Sequence, residues 1–444
     1  MATRTTGRSR AWAWRLCAVL LAACCTPAMQ AQGQALVQDG IIIDPVLPLD
    51  YDQDRNLSLR EQILLEYGPL GIRRGTLLIL PRVGTGIGAS DNPFLAGGDP
   101  DGDIYARISP GVDVRSDWAR HRIDLNASAV LTRFASEQRL NRNEWDLGAS
   151  GRLDLSDYAN LGAEARVSRV QEEPFTSGLD AATAILSRYR RAFGALRAAR
   201  QAGRTRLSAT AAVEDYSFAD LEQDDGVRIS QAARDRRDFT GAAQAEYAFT
   251  PGGVVYLQGN YVVTDYQFPG TTLEPARDSQ SWRLLAGVNA DLPGRFRGTI
   301  AAGYTRRGFD DPAYEPISGL SAQGELTWFA DPLTNVTVRG RRLLQEAPIG
   351  GDAFFENSAR LTVERAVRRN LLLGVSGYAG QINYVRSPLD FRVRQAGASA
   401  EYFAPRWYDL RLGLTYTRRN ASPATIGVAD FDELAALLTL TIHP

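Results

Sequence analysis

Between Ser279 and Arg307 hydrophobic and polar positions alternate one by one. Trp282, Leu284, Ala286, Val288, Ala290 and Leu292 are apolar; Arg283, Leu285, Gly287, Asn289 and Asp291 between them are mostly polar or small. Pro293 and Gly294 turn the chain. The second arm sets Phe296, Gly298, Ile300, Ala302 and Tyr304 against Arg297, Thr299, Ala301, Gly303, Thr305 and Arg307. A period of two means strand, because successive side chains leave opposite faces. Each arm runs to about 14 residues, where a soluble strand averages about 5–6. The apolar rows end in aromatics, Trp282 and Tyr304. Long alternating strands with aromatic tips are what a transmembrane β-barrel presents to lipid.

The pattern recurs from Leu77 onward. It predicts strands near 77–90, 103–117, 120–135, 143–156, 159–172, 186–201, 204–218, 236–250, 253–267, 279–292, 295–309, 318–330, 333–346, 354–367, 370–385, 390–404, 407–420 and 430–442. That makes about 18, an even number, as bacterial single-chain barrels require. Every second connection is tight: Trp118-Ala119, Asp157-Tyr158, Ala202-Gly203, Pro251-Gly252, Pro293-Gly294, Asp331-Pro332, Arg368-Arg369 and Pro405-Arg406. The others are mostly longer and polar, as at 91–102, 173–185 and 219–235. Outer-membrane barrels keep short turns on the periplasmic side and long loops outside; a soluble sandwich has no reason to hold this parity. The expected fold is all-β, an antiparallel up-and-down transmembrane barrel spanning 76–444.

The first 75 residues read differently. Arg4, Arg8, Arg10 and Arg15 precede an apolar stretch from Leu16 to Ala23, the order of a secretory signal peptide. Cleavage after Ala31 is expected; Leu21-Ala22-Ala23-Cys24 also resembles a lipobox, which would lipidate Cys24 instead. Residues 32–75 read as a periplasmic linker, acidic at Asp44, Asp50, Asp52 and Asp54. Within it Ser58-Leu59-Arg60-Glu61 has the Ser-x-x-Glu form of a capping box, predicting a short helix near 59–67. The helix is expected to pack on the barrel mouth; a plug inside the lumen is the alternative.

Composition changes this picture little. Of 444 residues 44% are hydrophobic, with mean hydropathy −0.24. That would suggest a soluble protein, except that barrel strands dilute each apolar residue with a polar neighbour. Cys17, Cys24 and Cys25 are the only cysteines, which leaves no disulfide framework or cysteine-rich metal site in the barrel. All 50 basic residues are Arg, a bias that genomic base composition explains.

Several stretches resemble the putative β-barrel porin 2 family of Gram-negative outer membranes. They are Glu66-Tyr67-Gly68-Pro69-Leu70-Gly71-Ile72-Arg73-Arg74-Gly75, then Leu80-Pro81-Arg82-Val83-Gly84 leading to Ser90-Asp91-Asn92-Pro93-Phe94. Ile108-Ser109-Pro110-Gly111-Val112 with Arg115-Ser116-Asp117-Trp118 follows. Last come Phe309-Asp310-Asp311-Pro312 and Leu326-Thr327-Trp328-Phe329-Ala330-Asp331-Pro332-Leu333-Thr334. The resemblance implies an outer-membrane barrel and an association with exopolysaccharide export, which would make a polysaccharide-export complex a partner. One departure is the end, Thr441-Ile442-His443-Pro444, where many barrels carry an aromatic.

Chemistry should lie on the inward rows. The candidate lumen-lining charges are Asp124, Arg206, Glu214, Glu246, Arg283, Arg297, Arg307, Glu325, Arg339, Arg341, Arg360, Glu364 and Arg411. They either form cross-strand ion pairs in a hydrated wall or guide a polar or anionic solute. Tyr256 and Tyr378 could stack on sugar rings, or simply pack. His121 and His443 are the only histidines, and no phosphate loop or histidine-rich metal spacing occurs, so no catalytic residue, cofactor or metal is expected. The leading function is a porin-like channel for polar solutes such as exopolysaccharide. A structural or binding barrel is second, and an outer-membrane enzyme using His121 third. Expected partners are outer-membrane lipid, lipopolysaccharide and the barrel-assembly machinery; nucleic acid is not among them.

Overall fold

The computed structural model describes residues 57–444 except 99, 173–186, 223–227, 269, 271–274, 293–294, 347–352, 386–389 and 423–429. The signal peptide, the lipobox, most of the linker and the Pro293-Gly294 turn lie outside the described residues.

Helix α1 spans Leu59–Tyr67. Eighteen long strands follow: β1 Leu77–Ser90, β2 Asp103–Ser116, β3 Arg122–Phe134, β4 Arg142–Ser156, β5 Ala159–Gln171 and β6 Arg188–Ala202. Next come β7 Thr205–Phe218, β8 Arg236–Thr250, β9 Gly253–Tyr266, β10 Ser279–Leu292, β11 Phe296–Phe309 and β12 Ile317–Asp331. The last are β13 Thr334–Glu346, β14 Ala353–Arg368, β15 Leu371–Tyr384, β16 Asp390–Phe403, β17 Tyr408–Ser422 and β18 Phe431–Ile442. Each of the strands read from the alternation is present, its ends shifted by at most two residues. The pattern did not show a short strand, Ile72–Arg74, a two-residue hairpin of Leu221–Glu222 with Arg228–Ile229, or two single-turn 3-10 helices.

Each strand pairs antiparallel with its sequence neighbour, and β18 pairs back onto β1 from Val83↔Ile442 to Ser90↔Ala435. The sheet therefore closes and leaves no long edge, which a membrane demands of any spanning sheet. Register slips by one residue at Asp154/Ser156, Ala248/Thr250, Phe329/Asp331 and Ala366/Arg368, each just before a short turn. A bulge there adds the twist that lets a tight turn join two twisted strands.

The seam is stitched at both ends. At the long-loop end Ser90 Oγ donates to Glu433 at 2.7 Å, Asp91 Oδ1 accepts from the Leu434 amide, and buried Asn92 donates to the Asp432 carbonyl. At the short-turn end the Gly71 amide donates to the Pro444 carbonyl, and buried His443 lies 3.2 Å from Asp409. Gly75 (φ +60°) takes left-handed backbone in the turn that folds Ile72–Arg74 onto β1, and Gly71 (φ +68°) takes it just before that short strand.

The outer wall is apolar and open: Ile87, Leu196, Ile300 and Leu320 are each more than 60% exposed. So many exposed aliphatic rows would be an aggregation hazard in water and are the normal surface of a barrel in lipid. The buried set is instead rich in Gln, Asn, Thr, Glu and Arg, and it faces the lumen.

Candidate functional site

Helix α1 lies on the inner wall at the short-turn end. The expected capping box forms: Ser58 Oγ accepts from the Glu61 amide at 3.3 Å, and Glu61 Oε2 accepts from the Ser58 amide at 2.6 Å. Gly68 ends the helix where any Cβ would meet the Leu64 carbonyl at 2.4 Å. Leu59 and Ile63 pack on Ala366, Leu372 and Phe403, the inward residues at the ends of β14, β15 and β16. Arg60 grips Glu401 with two bonds of 2.8 and 2.9 Å, and Glu61 reaches Arg297 of β11 at 3.9 Å. The helix is thus at the mouth and on its lumen side, combining the two placements considered from the sequence.

The inward charges fall into two groups. On β13–β17, Arg339 binds Glu325 of β12 with bonds of 2.6 and 3.2 Å, and Arg341 binds Glu356 of β14 at 2.8–3.1 Å. Arg360 sits 4.9 Å from the centre of the Tyr378 ring and reaches Gln395 at 3.5 Å. Arg411 lies within electrostatic reach of Glu401, Arg60 and Glu364. A cavity of about 240 Å³ opens here, lined by Arg60, Arg339, Arg360, Glu364 and Arg411 with small residues between them.

The second group, on β6–β11, is tighter. Arg191 donates to Glu214; Glu246, 3% exposed, accepts from Gln244 at 2.9 Å and stands opposite Arg206. Arg307 donates to Ser279 Oγ at 2.8 and 3.0 Å. Arg283, Arg307, Glu214 and Asp238 line a cavity of only about 70 Å³. Tyr256 packs inward with Leu285 and Ala301 and touches Thr299. Elsewhere on the wall Asp124 binds Arg122 at 2.5–2.8 Å.

The sequence reading missed Arg60, Glu61, Glu356 and Glu401. Glu356 and Glu401 share the inward parity of Ser358 and Ser399, so strict alternation through their strands could have found them. The helix residues carry no such signal, because their partners lie far away in sequence. His121 Nδ1 accepts from the Asp154 amide and its own amide donates to Asp154 Oδ2, each at 3.1 Å; no serine bonds it among the described residues. Its φ of 66° belongs to the turn before β3. No group of three or more possible metal ligands occurs among the described residues.

Comparison with known proteins adds the following. A family model described as putative beta-barrel porin 2 matches residues 66–443. No curated protein matches significantly. Similar solved structures include three Pseudomonas aeruginosa proteins. OccK3 (OpdO) is 11% identical with a TM-score of 0.45, covering 82% of this chain and 96% of its own. OpdK solved with vanillate is 10% identical at 0.45, covering 82% and 99%. OccK2 (OpdF) in complex with glucuronate is 12% identical at 0.45, covering 82% and 98%.

Proposed function

Because the chain belongs to the putative beta-barrel porin 2 family, we propose that it is an outer-membrane channel that passes polar solutes through its lumen. The observation that carries this is the sorting of the two wall faces. On β13 the inward row is Asn335, Thr337, Arg339, Arg341, Leu343 and Gln345, against Val336 and Val338 outward. On β9 it is Tyr256, Gln258, Asn260, Val262 and Thr264, against Val255, Leu257 and Tyr261. Both side-chain ends of Gln258 are buried and find no partner among the described residues. Within a membrane such polar rows are tolerated where they face away from lipid, into protein or a water-filled space. Helix α1 narrows the short-turn mouth and would set an upper limit on solute size there.

The signal-peptide pattern supports export to a Gram-negative envelope, with the short turns periplasmic. Lipopolysaccharide and the assembly machinery are then its partners. Export of exopolysaccharide is the finer form of this reading; it rests on the family resemblance and on Tyr378 facing the lumen. A structural or binding barrel is favoured by one observation, the close packing of the β6–β11 charges into a wall with little free space.

Liposome swelling separates these readings. The channel predicts swelling in small sugars that slows as sugar size rises. Liposomes carrying folded protein that never swell would leave the structural barrel.

A further inference from the structure

We propose that the recess on β13–β17 beside α1 is a binding site for a polyhydroxylated monocarboxylate, that is, an acidic sugar; the proposal rests on the channel reading and specifies a solute for it. Charge gives the first argument. Arg60 is matched by Glu401 and Arg339 by Glu325, each through two hydrogen bonds. Arg360 and Arg411 then stand against Glu364 alone, so the recess holds one positive charge in excess. Arg411 Nε and Nη1 are buried and find no hydrogen-bond acceptor among the described residues. An excess guanidinium charge is the partner of a single carboxylate, with which it forms charge-assisted hydrogen bonds. A phosphate dianion would leave one negative charge unmatched.

Space and wall chemistry give the second. The cavity of about 240 Å³ holds roughly eight waters at ~30 Å³ each, whereas the β6–β11 cavity of about 70 Å³ holds far less. It is open because the wall is built from small residues. At Gly374 an added Cβ would come within 2.7 Å of Ser399 Oγ, and at Gly397 within 2.7 Å of Ser376 Oγ. Those serines, with Thr362, Thr415 and Gln395, offer hydroxyl and amide groups to a solute rich in hydroxyls. An aliphatic acid would leave them unpaired, which costs affinity.

The test is calorimetric titration of the full-length barrel in detergent with D-galacturonate, D-galactose and inorganic phosphate. The proposal expects galacturonate to bind more tightly than phosphate, and galactose to give no measurable heat. Arg411→Gln should weaken galacturonate by about tenfold or more, the loss of a hydrogen-bonded charge contact. Ser399→Phe fills part of the recess and leaves the Arg411 side chain in place; it should weaken binding too, so the site remains testable if Arg411→Gln does not fold. No binding by the unmodified protein, equal binding of galactose or phosphate, or unchanged affinity in a folded variant would overturn the site. Liposome swelling judges the channel separately. Flux without galacturonate binding keeps the channel and removes the site; binding without flux does the reverse.

Discussion

A single residue's fate here depends on its parity. Leu284 and Leu412 face outward and are 48% and 44% exposed, while their neighbours Arg283 and Arg411 face the lumen. Leu284→Arg or Leu412→Arg is expected to cost roughly 2–4 kcal/mol at the bilayer midplane, and Arg283→Leu should leave insertion intact. Loss of the heat-modifiable gel shift in the first pair alone is the expected reading; equal behaviour would mean the registers are wrong. Lumen charges make a different prediction. Arg339→Glu with Arg341→Glu should move the reversal potential under a salt gradient toward cations, since two inward positions on one strand stand about 6.6 Å apart, inside the Debye length of about 8 Å. An unmoved potential would make them wall structure only. In the loop after β9, Asp278 accepts from the Tyr266 amide at 2.6 Å. Burial, then the nearby Asp265 and Asp310, push its carboxyl up. A raised folded pKa means the contribution to stability is full below the unfolded value and lost as pH rises through the folded one. Protection of this loop from proteolysis should therefore be greater near pH 4 than at pH 7, and Asp278→Asn should remove the difference.

At the scale of elements, strands and the helix differ in how far the sequence foretold them. A strand needs only its own alternation, so Ser279–Leu292 and Arg236–Thr250 could be bounded to the residue. Helix α1 was legible as a helix from Ser58 and Glu61, whose bonds are local. Its place was not, because Arg60 and Glu401 are 341 residues apart. The wall pairings show the same limit. Arg339 meets Glu325 directly across the ladder, as simple facing would suggest. Arg341 stands opposite Ser358 and reaches diagonally to Glu356, while Glu364, another inward acid of the same strand, lies opposite Asn335 lower on the wall. Long side chains reach diagonal neighbours about 7–8 Å away, so parity alone does not choose a partner. Helix α1 also carries a prediction. Leu59→Asp with Ile63→Asp puts charge against Phe403 and Leu372 and should free the helix from the wall. Faster swelling in larger sugars is the expected result.

For the whole molecule, the parity of turns and loops together with the even strand number already required closure, and the β1–β18 seam supplies it. What the parity could not show is how full the lumen is, since that depends on side chains from many strands meeting across it. The central claim is that this closed barrel, apolar outside and polar inside, encloses a continuous aqueous path. Ion current across a planar bilayer containing the purified protein tests it most directly. The account predicts stepwise, voltage-dependent conductance on insertion, with larger steps for the Leu59→Asp, Ile63→Asp variant. Folded, membrane-inserted protein that carries no current, even with the helix released, would contradict it.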